Sequence, residues 1–368
     1  MDCGTVPTNY TANITDSESA AIIFRNESRY WMQRVLTPAA VLIGVVGNIL
    51  TIVVLTRRRM TSSTNTYLTA LAVTDLAYLI CVYTVSYENY PGIHDVRFLW
   101  YWRHWKYALW IVDCTMGISV WLTAAFTFER YIAVCHPLRG RVFCTEARAR
   151  RVIIVIYILC LLSTCTTPFE WSIEVKDGMV CKKMTELAMD QTYKNYLYWF
   201  WAAMFVFVPL VIIAIFNTFL IEAVHRSKRQ RSGLTQQIEP RDCANSSRQR
   251  QENKITTTLI AVVILFIVCQ TPAAIMLVVY IFYSPDKSTP AGAIMLGLGN
   301  IFNFLTTVNA SSNFLLYCVM SDKYRRTLVL TLCPCLATRH QRSHTFTSYY
   351  ASHHNSSVRF NSPNALNT

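Results

Sequence analysis

Charge is scarce in this chain. Asp, Glu, Lys and Arg make up 15% of its 368 residues, against about 25% in a soluble domain. The charges that exist sit between long apolar blocks, and 53% of the residues are apolar. That distribution excludes a disordered, fibrous or nucleic-acid-binding chain and argues against a water-soluble enzyme. Catalytic signatures are also missing. There is no H-E-x-x-H zinc motif, no G-x-S-x-G elbow and no paired aspartates in a membrane-protease pattern. No internal repeat of the kind that builds transporters is visible. This weighs against a transporter or channel, the competing class, in which Asp75 and Asp113 would line a permeation path. The thirteen cysteines are no disulfide framework, since nearly half lie in apolar blocks, where a thiol is a small hydrophobe. Residues 1–30 lack the apolar core of a signal peptide.

What the chain has is apolar length. Seven blocks reach the roughly 20 residues that cross about 30 Å of hydrocarbon: Val35–Thr56, Asn65–Tyr90, Phe98–Val134, Arg151–Trp171, Tyr193–His225, Ile255–Tyr283 and Ala291–Met320. They are too continuous for barrel strands. The expectation is an all-α membrane protein, a seven-transmembrane helix bundle over 35–320. With Arg57–Arg59 placed in the cytoplasm, 23 of the 34 basic residues share that side, as the positive-inside rule requires. The N-terminus, 1–34, is then extracellular, and the chain is a multi-pass plasma-membrane protein with a cytoplasmic C-terminus. The basic excess reflects topology and anionic lipid, not a nucleic-acid partner. Sequons at Asn9, Asn13 and Asn26 fall on the outer side and are expected to carry glycans. Ser227–Gln251 and the tail from about Thr338 read as unfolded, placing a disordered cytoplasmic segment at 336–368.

Polar residues inside a bilayer are costly, so they are candidates for function. Asn48, Asp75, Asp113, Asn309 and Asn313 qualify. Asp75 with Asn309 and Asn313 reads either as interhelical hydrogen bonding or as a hydrated cation site. No cofactor is expected beyond an allosteric sodium ion there. Pro209 and Pro272 interrupt the fifth and sixth blocks and mark kinks, static or pivoting. At the end of the third block stands Glu129-Arg130-Tyr131. Arg130 either snorkels to lipid phosphate or is held by Glu129 and Glu252 as a releasable switch.

The string Glu129–Leu138 resembles the E/D-R-Y-x-A-x-C-H-P-L signature of rhodopsin-like G-protein-coupled receptors. The resemblance spans roughly Val35–Cys335. It includes Gly47-Asn48, Leu71-Ala72-x-x-Asp75, Pro209, Cys269-x-x-Pro272 and Asn313-Phe314-Leu315-Leu316-Tyr317. It implies a short amphipathic helix from Ser321, over 321–335, and palmitoylation at Cys333 and Cys335. Met60-Thr61-x-x-Thr64-Asn65 and Ala125–Arg130 are similar to thyrotropin-releasing-hormone receptors. Asn309–Tyr317 and Asn217 are similar to FMRFamide receptors, so the neuropeptide branch is implied.

Several residues depart from the family pattern. Gln270 replaces the switch tryptophan, Phe314 the seventh-helix proline and Tyr157 the fourth-helix tryptophan. Trp105 stands where the third helix usually has a cysteine, so Cys181 lacks its usual partner. Cys114 is roughly 13 Å deeper at 1.5 Å per residue, beyond disulfide reach. Cys3 or a free Cys181 are the alternatives. Monoamine receptors carry an aspartate where this chain has Val112, about 100° around the helix from Asp113. An amine or amino-acid-like ligand is therefore the weaker alternative. The expected pocket is Tyr87, Glu88, Trp110, Asp113, Glu170, Gln270 and Asn303, aromatic and weakly acidic. It suits a short cationic, C-terminally amidated peptide. Trp100 and Trp102 read as an interfacial aromatic belt. The resemblance further implies a heterotrimeric G protein through the Gq/calcium route, arrestin and membrane lipid as partners. Activation would swing the sixth helix about Pro272, with Glu129, Arg130, Tyr131, Glu252, Asn313 and Tyr317 as switch residues.

Overall fold

The computed structural model describes residues 16–234, 240–283, 285–286 and 288–332, with the side chains of 16–17, 224, 227–234, 240–259 and 320 outside that description. Contacts divide the chain into two units, Met1–Ser321 and Asp322–Thr368. In the first unit, seven of the described helices are long and apolar enough to cross a membrane: Glu18–Leu55, Ser63–Asn89, Val96–Cys135, Glu146–Phe169, Gln191–Ala223, Ile260–Phe282 and Pro290–Val319. We refer to these as the first to seventh spans. The all-α seven-helix expectation holds.

The first span is built from α1 (Asp16–Ser28), a π-helical stretch (Arg29–Leu36) and α2 (Thr37–Leu55). It begins well before Val35, where the apolar pattern placed its start, because Ala20–Phe24 supplies a further apolar run. Pro38 has no N–H for the Arg34 carbonyl, one turn earlier. The Tyr90 hydroxyl donates to that freed carbonyl at 3.2 Å. The second span contains α3 (Ser63–Ser86), capped by Ser62, whose Oγ accepts from the Asn65 N–H at 3.1 Å. The third is α4 (Leu99–Cys135), followed by the short α5 (Pro137–Phe143) and by α6 (Glu146–Ser163) in the fourth span.

A hairpin follows, with β1 (Trp171–Lys176) antiparallel to β2 (Met179–Met184). Its two-residue loop is Asp177-Gly178, at φ 49° and 73°. Positive φ at both positions is what a type I′ turn requires, and Asp-Gly supplies it. After α7 (Glu186–Met189), the fifth span runs through α8 (Gln191–Trp201), a π-helical stretch (Ala202–Phe207) and α9 (Val208–Leu234). The π turn lies just ahead of Pro209, which cannot donate to the Phe205 carbonyl. The sixth span lies in α10 (Pro240–Phe282), with Pro272 inside it, and the seventh in α11 (Pro290–Met320).

Most of Ser227–Gln251, expected to be unfolded, is helical instead: α9 continues to Leu234 and α10 starts at Pro240. Its Arg, Lys and Gln residues are good helix formers, and both helices simply extend. The second unit contributes α12 (Asp322–Leu332), the expected short helix. Asp322 begins it and pairs with Arg325, an acid placed where the helix dipole favours one.

The bundle core gathers Val41, Tyr78, Leu79, Val112 and Ala310 from the first, second, third and seventh spans. Asn48 ties the first span to the seventh. Its Nδ2 donates to the Gly44 carbonyl at 2.9 Å and the Ala310 carbonyl at 3.0 Å. Tyr157 reaches the second span, donating to the Ala70 carbonyl at 3.1 Å and meeting the Thr74 hydroxyl at 2.6 Å. A tyrosine hydroxyl therefore ties the second and fourth spans together where the family has tryptophan.

Candidate functional site

Three polar sites lie along the bundle. At the hairpin end, a cavity of about 770 Å³ opens among the first, second, third and seventh spans and the hairpin. Glu88, Asp113 and Asn303, three of the residues singled out in the sequence, line it. Asp113 accepts a hydrogen bond from the Thr167 hydroxyl at 3.2 Å. A second, apolar cavity of about 570 Å³ lies between the third, fifth and sixth spans and contains Gln270. Asn303 and Met116 line both. Gln270 accepts from the Thr306 hydroxyl at 3.5 Å.

Tyr87, Trp110 and Glu170 line neither cavity. Tyr87 donates to the Tyr83 hydroxyl at 3.0 Å. Trp110 donates its indole N–H to Thr164 at 3.0 Å and so ties the third span to the fourth. Glu170 accepts from Tyr193 at 2.8 Å, linking the fourth span to the fifth.

The first cavity's charge differs from the weakly acidic expectation. Arg25, Arg29, Arg34 and Lys182 line it together with Glu88 and Asp113. The sequence puts the three arginines in an extracellular segment, and the earlier start of the helix brings them to the wall. Arg25, Arg29 and Gln33 are four residues apart, the spacing of one helix face. That is the signal that could have found them.

The hairpin is fixed to the third span by aromatics. Trp102 is fully buried, donates to the Ile93 carbonyl at 2.9 Å and stacks on His94 at 4.7 Å. Trp105 meets Trp171 edge-to-face at 5.5 Å. The Lys182 ammonium sits over both rings, 4.6 and 5.5 Å from their centres, and pairs with Glu88 at 2.6 Å. Trp102 is therefore a core residue, not part of an aromatic belt, whereas Trp100 is 65% exposed. Cys181 is disulfide-bonded, which removes the free-thiol alternative. Cys114 is a free thiol, so it is not the partner; Cys3 lies outside the described residues.

Mid-bundle, the Asn313 amide donates to the Asp75 carboxylate at 2.7 Å, both side chains being buried. The Asn313 carbonyl oxygen is buried with no hydrogen bond among the described residues. Asn309 is buried one turn away and bonds to neither. At the opposite end from the hairpin, Arg130 lies 3.5 Å from Glu129, with both side chains largely buried. The Arg130 Nε has no partner among the described residues. Tyr131 packs against Phe216 and Phe219 of α9, with ring centres 5.0 and 5.6 Å apart. Tyr317 is buried, and the side chain of Glu252 lies outside those described.

The pattern of the 7 transmembrane receptor (rhodopsin family) matches residues 47–317. The chain belongs to this family. Its members are receptors, not enzymes, and the Glu129-Arg130-Tyr131 site falls within the matched span. The receptor is 27% identical to the FMRFamide receptor of Drosophila melanogaster over 345 residues, covering 89% of this chain and 59% of that protein. It is also 27% identical to the sex peptide receptor of the same fly over 316 residues, 79% of this chain and 70% of that protein. Against the growth hormone secretagogue receptor type 1 of Sus scrofa, identity is 27% over 308 residues, 78% and 76%. The receptor thus spans less than two thirds of the FMRFamide receptor's length. Of the expected modification sites, Asn26 is exposed on α1. Asn9, Asn13, Cys333 and Cys335 lie outside the described residues.

Proposed function

We propose that the receptor spans the plasma membrane with its N-terminus outside, binds a short peptide in the 770 Å³ cavity and signals to a heterotrimeric G protein from the Arg130 end. The observation that carries this reading is the cavity itself. It falls within the roughly 300–1,000 Å³ of small-ligand pockets, and charged groups from three helices and the hairpin converge on it. Relatives named for FMRFamide and for a sex peptide support a peptide ligand. The Gq/calcium route rests on the resemblance to FMRFamide and thyrotropin-releasing-hormone receptors, arrestin and lipid contacts on that to the wider family, and C-terminal amidation on the aromatic character of the pocket residues.

The mechanism is a population shift: the ligand binds the active state more tightly than the inactive one. Arg130 held by Glu129 represents the inactive arrangement. Release of Arg130, with the sixth span pivoting at Pro272, opens a cleft at that end for the G protein. The residues between the two sites fit a sodium ion. Asp75 supplies a carboxylate and Asn313 a buried carbonyl oxygen without a hydrogen bond among the described residues, both hard oxygen donors of the kind such cations take. Sodium would supply a counter-charge to Asp75 and favour the inactive state.

The test is intracellular calcium in cells expressing the receptor, challenged with short amidated peptides and with monoamines. A response to peptides that falls in Asp113→Asn, at equal surface expression, supports the reading. A response to amines alone sinks it.

A further inference from the structure

The cavity's cations outnumber its acids, and their pairing is uneven. Lys182 is matched to Glu88 at 2.6 Å. The first-span guanidiniums make no ion pair among the described residues; Glu88, the carboxylate that also acts on Arg29, is bound to Lys182. Arg25 Nε faces the Asn26 amide oxygen at 3.4 Å, and Arg34 Nε donates to the Asn89 carbonyl at 2.6 Å. Arg29 makes no hydrogen bond or ion pair among the described residues. The acid nearest in sequence, Glu27, accepts instead from the Trp31 indole at 3.1 Å. Like charges one turn apart, as Arg25 and Arg29 are, destabilise a helix. A guanidinium presents a planar fork that matches a carboxylate with two parallel hydrogen bonds.

We infer that the ligand carries a carboxylate that docks on the arginine face of the first span, centred on Arg29, while Asp113 faces a donor group elsewhere on the same ligand. This deepens the proposed peptide-receptor function and rests on it. It also replaces the purely cationic peptide suggested by sequence with one bearing charge of both signs. The carboxylate has two sources, an Asp or Glu side chain or a free C-terminus, and both present the same chemistry to arginine.

The experiment uses the full-length receptor at the cell surface and a short-peptide library made in matched forms. One arm pairs each Asp- or Glu-containing peptide with its Asn or Gln counterpart. The other pairs free-acid with amidated termini. The expected result is at least a tenfold potency advantage for the carboxylate form in one arm, and that arm names the source. In Arg29→Gln the advantage of the carboxylate form over its neutral counterpart disappears. Arg34→Gln serves as the second variant if Arg29→Gln is poorly expressed. Equal potency of acidic and neutral forms in both arms overturns the inference but leaves the peptide receptor standing. Persistence of the advantage in both variants overturns the assignment to this face. Silence to every peptide form overturns the peptide-ligand reading on which the inference rests.

Discussion

Asp75 shows how much one buried contact can decide. An isolated carboxylate inside a bilayer is expensive, and here Asn313 alone meets it directly among the described residues, at 2.7 Å. That leaves room for a cation to supply the missing charge. Asp75→Asn keeps the size and removes the charge. The expected outcome is a receptor that folds, reaches the surface and binds peptide with an affinity that no longer changes when sodium chloride replaces choline chloride. Sodium dependence that survives in the variant places the ion elsewhere. At this scale the sequence was informative wherever a polar side chain sat inside an apolar block, because its cost is visible without a structure. Asp75, Asp113, Asn303 and Asn313 were all legible for that reason. Arg25, Arg29 and Arg34 were not, because charged residues ahead of the first apolar block read as solvent-exposed. Trp110 and Glu170 were legible as polar or aromatic residues near the outer end, but their hydrogen bonds to Thr164 and Tyr193 turn them toward neighbouring helices.

The hairpin is the element that ties the cavity's wall together. Its backbone joins the loop before the third span, where the Val180 N–H donates to the His94 carbonyl at 2.6 Å. Trp105, Trp171 and Lys182 then clamp it to the helix where the family has a disulfide. Trp105→Ala removes a side chain only 2% exposed, a truncation that costs about 3–5 kcal/mol in a well-packed core. The expected outcome is faster hydrogen exchange across 171–184 and weaker peptide binding, with exchange at the Arg130 end unchanged.

His94 makes the same element sensitive to pH. Burial holds it below the ordinary histidine value; Lys182 acts in the same direction, and the Val180 carbonyl and Glu88 oppose it. An opened loop therefore takes up a proton that the packed loop resists. The stabilising contribution is complete above about pH 6.5, the ordinary histidine value. It is lost as pH falls through the lower folded value. The loop's protection against hydrogen exchange, taken relative to the intrinsic amide rate at each pH, is expected to fall on acidification, and the effect should flatten in His94→Gln. The hairpin itself was hidden from the sequence reading because six-residue strands between two spans carry little periodic signal, although Asp177-Gly178 is a turn pair.

At the scale of the whole bundle, the first and seventh spans are joined at a place with no spare room. A Cβ on Gly44 would stand 2.7 Å from the Ser311 Cβ and 2.9 Å from its Cα. Backbone cannot swing aside as a flexible side chain can, so the two helices must separate. The Asn48 bridge to the Ala310 carbonyl, at 3.0 Å, spans the same gap and lengthens with it. Overpacking of this kind costs roughly 1–3 kcal/mol. Gly44→Ala is expected to lower the unfolding temperature of the purified receptor and to change ligand-independent signalling, because the seventh span also carries Asn303 at the cavity and Asn313 at the Asp75 pair. Ser311→Gly removes the Cβ but leaves the Ser311 Cα at 2.9 Å and the Leu79 Cδ1 at 2.6 Å from the added methyl, so the double variant is expected to recover only part of the lost stability, while Ser311→Gly costs stability on its own. An additive loss in the double variant would mean that the helices do not meet at Gly44. The seven spans could be read from hydropathy because each crossing needs its own apolar length. This contact could not, because a small residue in an apolar block looks the same whether it faces lipid or another helix's backbone.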